Sequence, residues 1–215
     1  MLILLPPSEK KKAATSPEKF DLNSLTFASE LLALRSQTTA GYDSSQTLPA
    51  IEIYDGVLYQ GLGWDSLSAI QKKRANSRVL IVSALFGLVK PLDQIFQYKI
   101  KIDSKLWRDA IASISEKYVN ELVIDCRSST YKSVWTINPE NTVDVRVFKV
   151  TGAELSVITH MSKKYRGELT RELLKSGKFP KTPAELLAIT EKHFECKLIK
   201  AKGNLPWYLD LIIES

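Results

Sequence analysis

The sequence predicts an α/β fold, with α+β as the alternative class, built as a single compact unit over residues 1–215 around a mixed β-sheet. Three observations lead there. Short apolar runs, LILL, RVLIVS and ELVID, end abruptly in turn or charged residues and read as strands buried on both faces. Segments with helical spacing of apolar residues separate them, and hairpin-like pairs appear only late in the chain. With 215 residues, 44% hydrophobic and 25% charged, the chain can bury one sizeable core, and no repeat or low-complexity linker divides it.

Leu2 to Leu5 is the first strand, stopped by Pro6-Pro7, which end it without leaving an unpaired ladder donor. Leu25 to Leu34 reads as a helix capped by Asn23 or Ser24, with Leu25, Ala28, Leu31 and Leu32 on one face. A polar loop follows, and from Ala50 a short helical or strand-like piece leads to the Asp55-Gly56 turn. Leu67 to Ala75 is a basic helix, and Arg78 to Ser83 is the clearest strand. IFQYKIKI, from Ile95, reads as a strand of period two. Lys105 to Tyr118 is an amphipathic helix and Glu121 to Asp125 a short strand. Val143 to Val150 and Glu154 to Thr159 form an expected hairpin joined at Thr151-Gly152. Met161 to Ser176 is a helix closed by Gly177. Thr182-Pro183-x-Glu185 opens another with an N-cap, proline at N1 and a capping acid. Phe194 to Ile199 and Tyr208 to Ile213 close as an antiparallel pair.

Composition excludes several classes. Leu2 to Leu5 is too short for a signal peptide and its positive charge follows the apolar run, so no export signal is read. No segment approaches a membrane span. Cys126 and Cys196 are isolated, and His160 and His193 have no metal-ligand spacing, so no disulfide framework, metal or cofactor is expected and the cytoplasm is the expected compartment. Thirty basic and twenty-four acidic residues give a net charge of +6, a mild excess compatible with a polyanionic partner if it is concentrated on one surface.

The three apolar strands end alike. Each delivers a small or hydroxyl-bearing residue and then a cation: Ser8 with Lys10 and Lys11, Ser83 and Gly87 with Lys90, Ser128 and Ser129 with Arg127. If the strands are parallel neighbours, their loops converge beyond the carboxyl ends, where open α/β sheets bind ligands. Hydroxyls, backbone N–H groups and cations are what a phosphate needs. The alternative for each loop is the polar turn that follows most strands.

The helix SKKYRGELTRELLK adds a second basic face. Met161, Tyr165, Leu169 and Leu173 make its apolar stripe, and Lys163, Lys164, Gly167, Arg171 and Lys175 fall on another arc, with Arg166 at the edge. A mid-helix glycine costs about 1 kcal/mol against alanine, so Gly167 admits something close to the backbone: a phosphate, or a neighbouring helix beside a solvated Lys164–Glu168 pair. Lys72, Lys73, Arg74 and Arg78 read as a solvated helix end or a further nucleic-acid contact. Most aromatics are core candidates, while Tyr59 or Tyr131 can stack on a base. There is no P-loop, no G-x-G-x-x-G and no G-x-S-x-G. Glu9, Asp93 and Asp125 are the acids at strand ends, and a lysine of the cluster is a possible amine nucleophile, which leaves catalytic residues unassigned.

MLILLPPSEKK, YDGVLYQGL, SALFGLVKPLDQIFQYKI, DCRSSTYKSVW and SKKYRGELTR, in this order and over essentially the whole chain, resemble the YaaA family of bacterial peroxide-stress proteins. The resemblance implies a cytoplasmic bacterial protein of oxidative-stress defence with a YaaA-like fold. It also implies a positively charged cleft that binds DNA, duplex or partly unpaired, and in some members a helix-hairpin-helix element. By position it carries over Lys11 and the residues Lys163, Lys164, Arg166, Gly167 and Arg171. Lys10 stands where the motif commonly has glycine, Lys90 and Lys99 stand where arginine is common, and no G-x-G hairpin occurs between Ala40 and Leu62. The expected contact set is therefore Ser8, Lys10, Lys11, Lys90, Arg127, Ser128, Lys163, Lys164, Arg166, Gly167 and Arg171. Two alternatives accompany DNA binding: a lysine-dependent enzyme of glycosylase or lyase type acting on damaged nucleic acid, and a binder of a small phosphorylated metabolite.

Overall fold

β1 (Leu2–Leu5) is buried at all four positions, as an apolar run without alternation requires when a sheet is covered on both sides. The computed structural model describes residues 1–151, 154–157 and 161–214. After β1 come α1 (Ala28–Thr39), β2 (Leu48–Pro49), α2 (Ala50–Ile53), α3 (Val57–Leu62), α4 (Ala69–Arg78), β3 (Val79–Ser83), β4 (Gly87–Val89) and β5 (Gln94–Ile95). The second half supplies α5 (Ser104–Ser115), β6 (Val123–Asp125), α6 (Ser129–Lys132), β7 (Thr142–Thr151), β8 (Glu154–Val157), α7 (Ser162–Ser176), α8 (Pro183–Thr190), β9 (Glu195–Ile199) and β10 (Trp207–Ile213).

Among the described residues, eight strands form one mixed sheet in the order β4-β3-β1-β6-β7-β10-β9, with β8 pairing β7. β3, β1, β6, β7 and β10 are parallel, and β4 and β9 are antiparallel to their neighbours at the two ends of this order. Successive side chains of a strand point to opposite faces. Ile3, Leu5, Val79, Ile81 and Ile124 accordingly join one core with Leu58, Leu62, Leu169 and Leu173, while Leu2, Leu4, Leu80, Val82 and Val123 join another with Leu31, Trp107, Ile111 and Ile114. The α/β class is thus realised as one sheet between two helical layers. No helix among the described residues is long and apolar enough to cross a membrane.

Local signals set most boundaries. α4 carries a reciprocal capping box between Ser68 and Gln71, α5 is capped by Asp103, α8 by Thr182 with proline at its start, and α7 ends at Gly177 with φ 66°. Two readings need correction. The first helix starts at Ala28 rather than Leu25, because Phe27 takes a left-handed conformation and Leu22–Ser24 form a separate 3-10 turn. IFQYKIKI is not a strand beyond Gln94–Ile95: Ile95, Phe96 and Tyr98 are all buried, which a single pleated face cannot provide, and the segment inserts aromatics into the core instead. The late hairpin is present as β7 against β8, with Thr151 opposite Glu154. Gly152 at its expected junction, the Ile158–Thr159 end and His160 lie outside the described residues.

Candidate functional site

β1 lies between β3 and β6 with both pairings parallel, so that Leu4 is opposite Leu80 on one side and Asp125 on the other. The carboxyl ends of the three strands therefore sit side by side. From β1 the chain crosses to β3 on one flank and later returns to β6 on the other. That reversal is where open α/β sheets leave a crevice for ligands.

The loop leaving β1 is held by more than its prolines. The Tyr59 hydroxyl donates to the Pro6 carbonyl at 2.8 Å. Beyond it the chain re-pairs with the end of α2: Lys12 N–H donates to Ile53 O at 2.8 Å, Asp55 N–H donates to Lys10 O at 3.0 Å, and Lys11 forms an antiparallel bridge with Tyr54. Gly56 makes room for Ser8, since a Cβ there would overlap the Ser8 hydroxyl. The alternation of a bridged segment then sends adjacent lysines opposite ways. Lys10 points outward, with 70% of its side chain exposed, and pairs with Asp55 at 2.7 Å.

Lys11 turns in. Its Nζ donates to the Ser8 carbonyl at 2.8 Å and stands 4.2 Å from the centre of the Tyr98 ring and 5.6 Å from that of Tyr54. Burial brings its ammonium down to about 8, against the opposing charge of Glu9. Beneath it the Tyr98 hydroxyl lies 2.9 Å from both the Tyr54 hydroxyl and Ser83 Oγ. Tyr54 and Tyr98 lie in the core, as the sequence leads one to expect of most aromatics, but sequence reasoning missed that they wall the Lys11 amine. The positional coincidence of Lys11 with the bridge to Tyr54 has no local sequence signal.

The loop after β3 departs from expectation. Ser83 is fully buried, and its Oγ accepts from Leu85 and Phe86 N–H, so it closes a turn rather than facing a ligand. Gly87 has φ 71°, and a Cβ there would sit 2.6 Å from the Trp107 ring. β4 then runs back along β3, with Ile81 opposite Val89. Lys90 is thereby carried toward the amino end of β3, into a turn tied to α4 by Leu92 N–H donating to Asn76 Oδ1 at 3.0 Å. It does not join the edge that holds Lys10 and Lys11.

Past β6, Arg127 is only 2% exposed. Its guanidinium meets Asp125 bidentately at 2.9 and 2.8 Å and donates further to the carbonyls of Tyr131 and Trp135. Burial alone would push the Asp125 carboxyl up, but Arg127 outweighs it and holds it below the ordinary carboxylate value. Arg127 thus organises the loop and is not free to meet a phosphate. Ser128, at the start of α6, is half-buried at the same edge.

α7 reaches this edge through α3. A Cβ on Gly167 would overlap the Leu58 carbonyl oxygen and lie 2.7 Å from the Leu62 nitrogen, and a Cβ on Gly61 would overlap the Lys164 carbonyl oxygen. The two glycines let the helix backbones touch, so the space expected beside Gly167 is filled by α3. Arg166 donates to Val145 O at 3.1 Å and to Arg127 O at 3.4 Å, and Arg171 donates to Gly61 O at 3.0 Å and pairs with Glu172. Both arginines fasten α7 to its surroundings. Lys163 is exposed, and Lys164, half-exposed, stands 3.6 Å from Glu168.

Other candidates resolve as packing. Tyr59 is buried, whereas Tyr131 is partly exposed. Arg35, fully buried in α1, donates to Phe86 and Leu88 carbonyls and braces the β3–β4 turn. Among the described residues no three His, Cys, Asp or Glu side chains group as a metal ion requires. An open cavity of about 360 Å3 lined by Phe20, Asn23, Thr39 and Phe96 includes none of the expected contact residues.

Comparison with known proteins is consistent along the chain. Residues 21–198 match the family described as peroxide stress protein YaaA. A UPF0246 protein of Streptomyces coelicolor is 32% identical, covering 100% of this chain and 99% of the relative. UPF0246 proteins of Corynebacterium glutamicum and Corynebacterium efficiens are 30% and 32% identical over 89% and 88% of this chain. The alignment with the Streptomyces protein spans 261 positions against a chain of 215, so that relative carries segments this chain lacks. The chain therefore belongs to the YaaA family of peroxide stress proteins.

Proposed function

We propose that this peroxide-stress protein binds DNA, duplex or partly unpaired, by its phosphates and with little sequence preference, using the carboxyl edge of the sheet. The observation that carries the reading is the junction of β1, β3 and β6, where the Ser8–Lys11 loop, Ser128 and the amino-terminal turn of α7 all border one edge. The contact set is narrower than the cations of the sequence suggest. Ser8, Lys10, Lys11, Ser128, Lys163 and Lys164 are its members. Arg127, Arg166, Gly167 and Arg171 hold the scaffold, and Lys90 lies elsewhere.

Lysines neutralise phosphates as point charges and carry no base information, so binding of this kind depends on salt more than on sequence. The test is binding of labelled duplex and bubble DNA by the full chain, with competition by free nucleotides. Displacement of DNA only by other DNA supports the reading. Displacement by equimolar mononucleotide favours a small phosphorylated ligand at the same edge.

A further inference from the structure

We infer that the Lys11 amine is a nucleophile that condenses with the aldehyde of a phosphate-bearing substrate to form an imine at the carboxyl edge of the sheet. The inference rests on the phosphate-binding reading for the substrate's charge, but not for the reactivity of the amine.

The geometry distinguishes Lys11 from its neighbours. Its Nζ is fixed by one hydrogen bond to the Ser8 carbonyl, over the Tyr98 ring, with Tyr54 as a second aromatic wall. Its backbone is clamped by the bridge to Tyr54 and by Gln97 Nε2 donating to Lys11 O at 3.5 Å. Lys10, next in the chain, swings outward to Asp55. An amine needs its lone pair to attack, and partial burial makes the ammonium harder to keep than in water. The groups that face it are Glu9, whose charge favours the ammonium, and the Tyr98 and Tyr54 rings, whose faces attract it. Burial outweighs them and brings the amine to about 8. Roughly a quarter of Lys11 is then neutral near pH 7.5, against about one part in a thousand for an exposed lysine.

The condensation balances without any further reactant. The neutral Nζ adds to the aldehyde carbon, its proton passing to the carbonyl oxygen to give a carbinolamine. The C–O bond then breaks as the nitrogen lone pair forms C=N, and the hydroxyl takes the second proton of the amine and leaves as water. Ser8, whose carbonyl holds the amine, offers its hydroxyl to a phosphate on the same substrate. An abasic deoxyribose in DNA and a free sugar phosphate share this chemistry.

The full chain is incubated at pH 7.5 with cyanoborohydride and either an abasic duplex or glyceraldehyde 3-phosphate, and the adduct is located by peptide mapping. Expected is reductive trapping at Lys11 at least tenfold faster than at Lys10, Lys12 or Lys163, lost in Lys11→Arg and kept in Lys12→Ala. Trapping by the duplex alone names damaged DNA as the source, and trapping by the sugar phosphate names a free metabolite. Because the wild-type map needs no variant to fold, adducts spread over exposed lysines would overturn the inference directly. Salt-dependent DNA binding without a Lys11 adduct would overturn it while leaving the binding reading intact. A Lys11 adduct in a chain that does not bind undamaged DNA would do the reverse.

Discussion

The backbone of Gly167 rests on that of Leu58, whose carbonyl oxygen occupies the place a Cβ would take. Leu58 belongs to α3, whose N-cap Gly56 lies beside Ser8, so this contact sets how far the basic turn of α7 stands from the loop after β1. Close backbone approach, rather than a ligand, is what the glycine provides.

Gly167→Ala is expected to destabilise the fold. Alanine gains about 1 kcal/mol of intrinsic helix propensity, but the overlap is with backbone atoms that cannot rotate away, which puts the cost at the upper end of the roughly 1–3 kcal/mol of overpacking. A net loss of about 2 kcal/mol in urea unfolding is predicted, with Lys163→Ala unchanged to within about 0.5 kcal/mol. Equal stability of Gly167→Ala and wild type would mean that the helices do not meet there.

Arg127→Met leaves Asp125 buried without its partner, at a cost of about 3–5 kcal/mol near neutral pH. The sign of the pH dependence follows from the carboxyl. In the wild type Asp125 is held low, so its contribution is present above the unfolded value of about 3.9 and is lost as pH falls through the folded value. In the variant the backbone N–H of residue 127 and the charge of Lys132 still favour the carboxylate, but burial is no longer outweighed and pushes the carboxyl up, so the penalty appears as pH rises above about 3.9. The gap between the two proteins should widen from acid to neutral pH in urea titrations. A gap constant across that range would contradict the pairing.

Neither cysteine is equipped to react with peroxide. Burial pushes the Cys126 thiol up to about 12, and burial with Glu191 and Glu195 pushes Cys196 up to about 11. The thiolate is the reactive form, and each residue holds less than about one part in a thousand of it at neutral pH. Dimedone should therefore trap no sulfenic acid on the native chain treated with hydrogen peroxide, whereas both residues should label in denaturant. Labelling of native Cys126 would overturn this and make the protein a thiol reactant of the stress itself.

Much of the fold was legible because apolar runs closed by proline or charge mark buried strands, and because Thr182 and Gly177 act through neighbours only a few residues away. The parallel pairing of β10 with β7, with Trp207 opposite Val143, had no such signal. The strand ends that carry the proposed site were legible, and the partners of its side chains were not. Arg127 and Arg171 look like phosphate ligands in the sequence, yet a guanidinium with five donors is also what loops use to gather stray carbonyls. Which of the two occurs is decided by partners as distant as Gly61 is from Arg171. Lys90 was misplaced for a simpler reason: three residues of β4 reverse the chain before it.

The central claim, phosphate contact by the lysines of the carboxyl edge, is tested most directly by the salt dependence of DNA affinity measured by fluorescence anisotropy. The wild type should show affinity falling steeply and linearly in log–log form, with the slope reduced by about 1 in Lys10→Ala and in Lys163→Ala. Lys90→Ala should leave the slope unchanged. Affinity independent of salt, or the same loss of slope in Lys90→Ala as in the other two, would contradict the account.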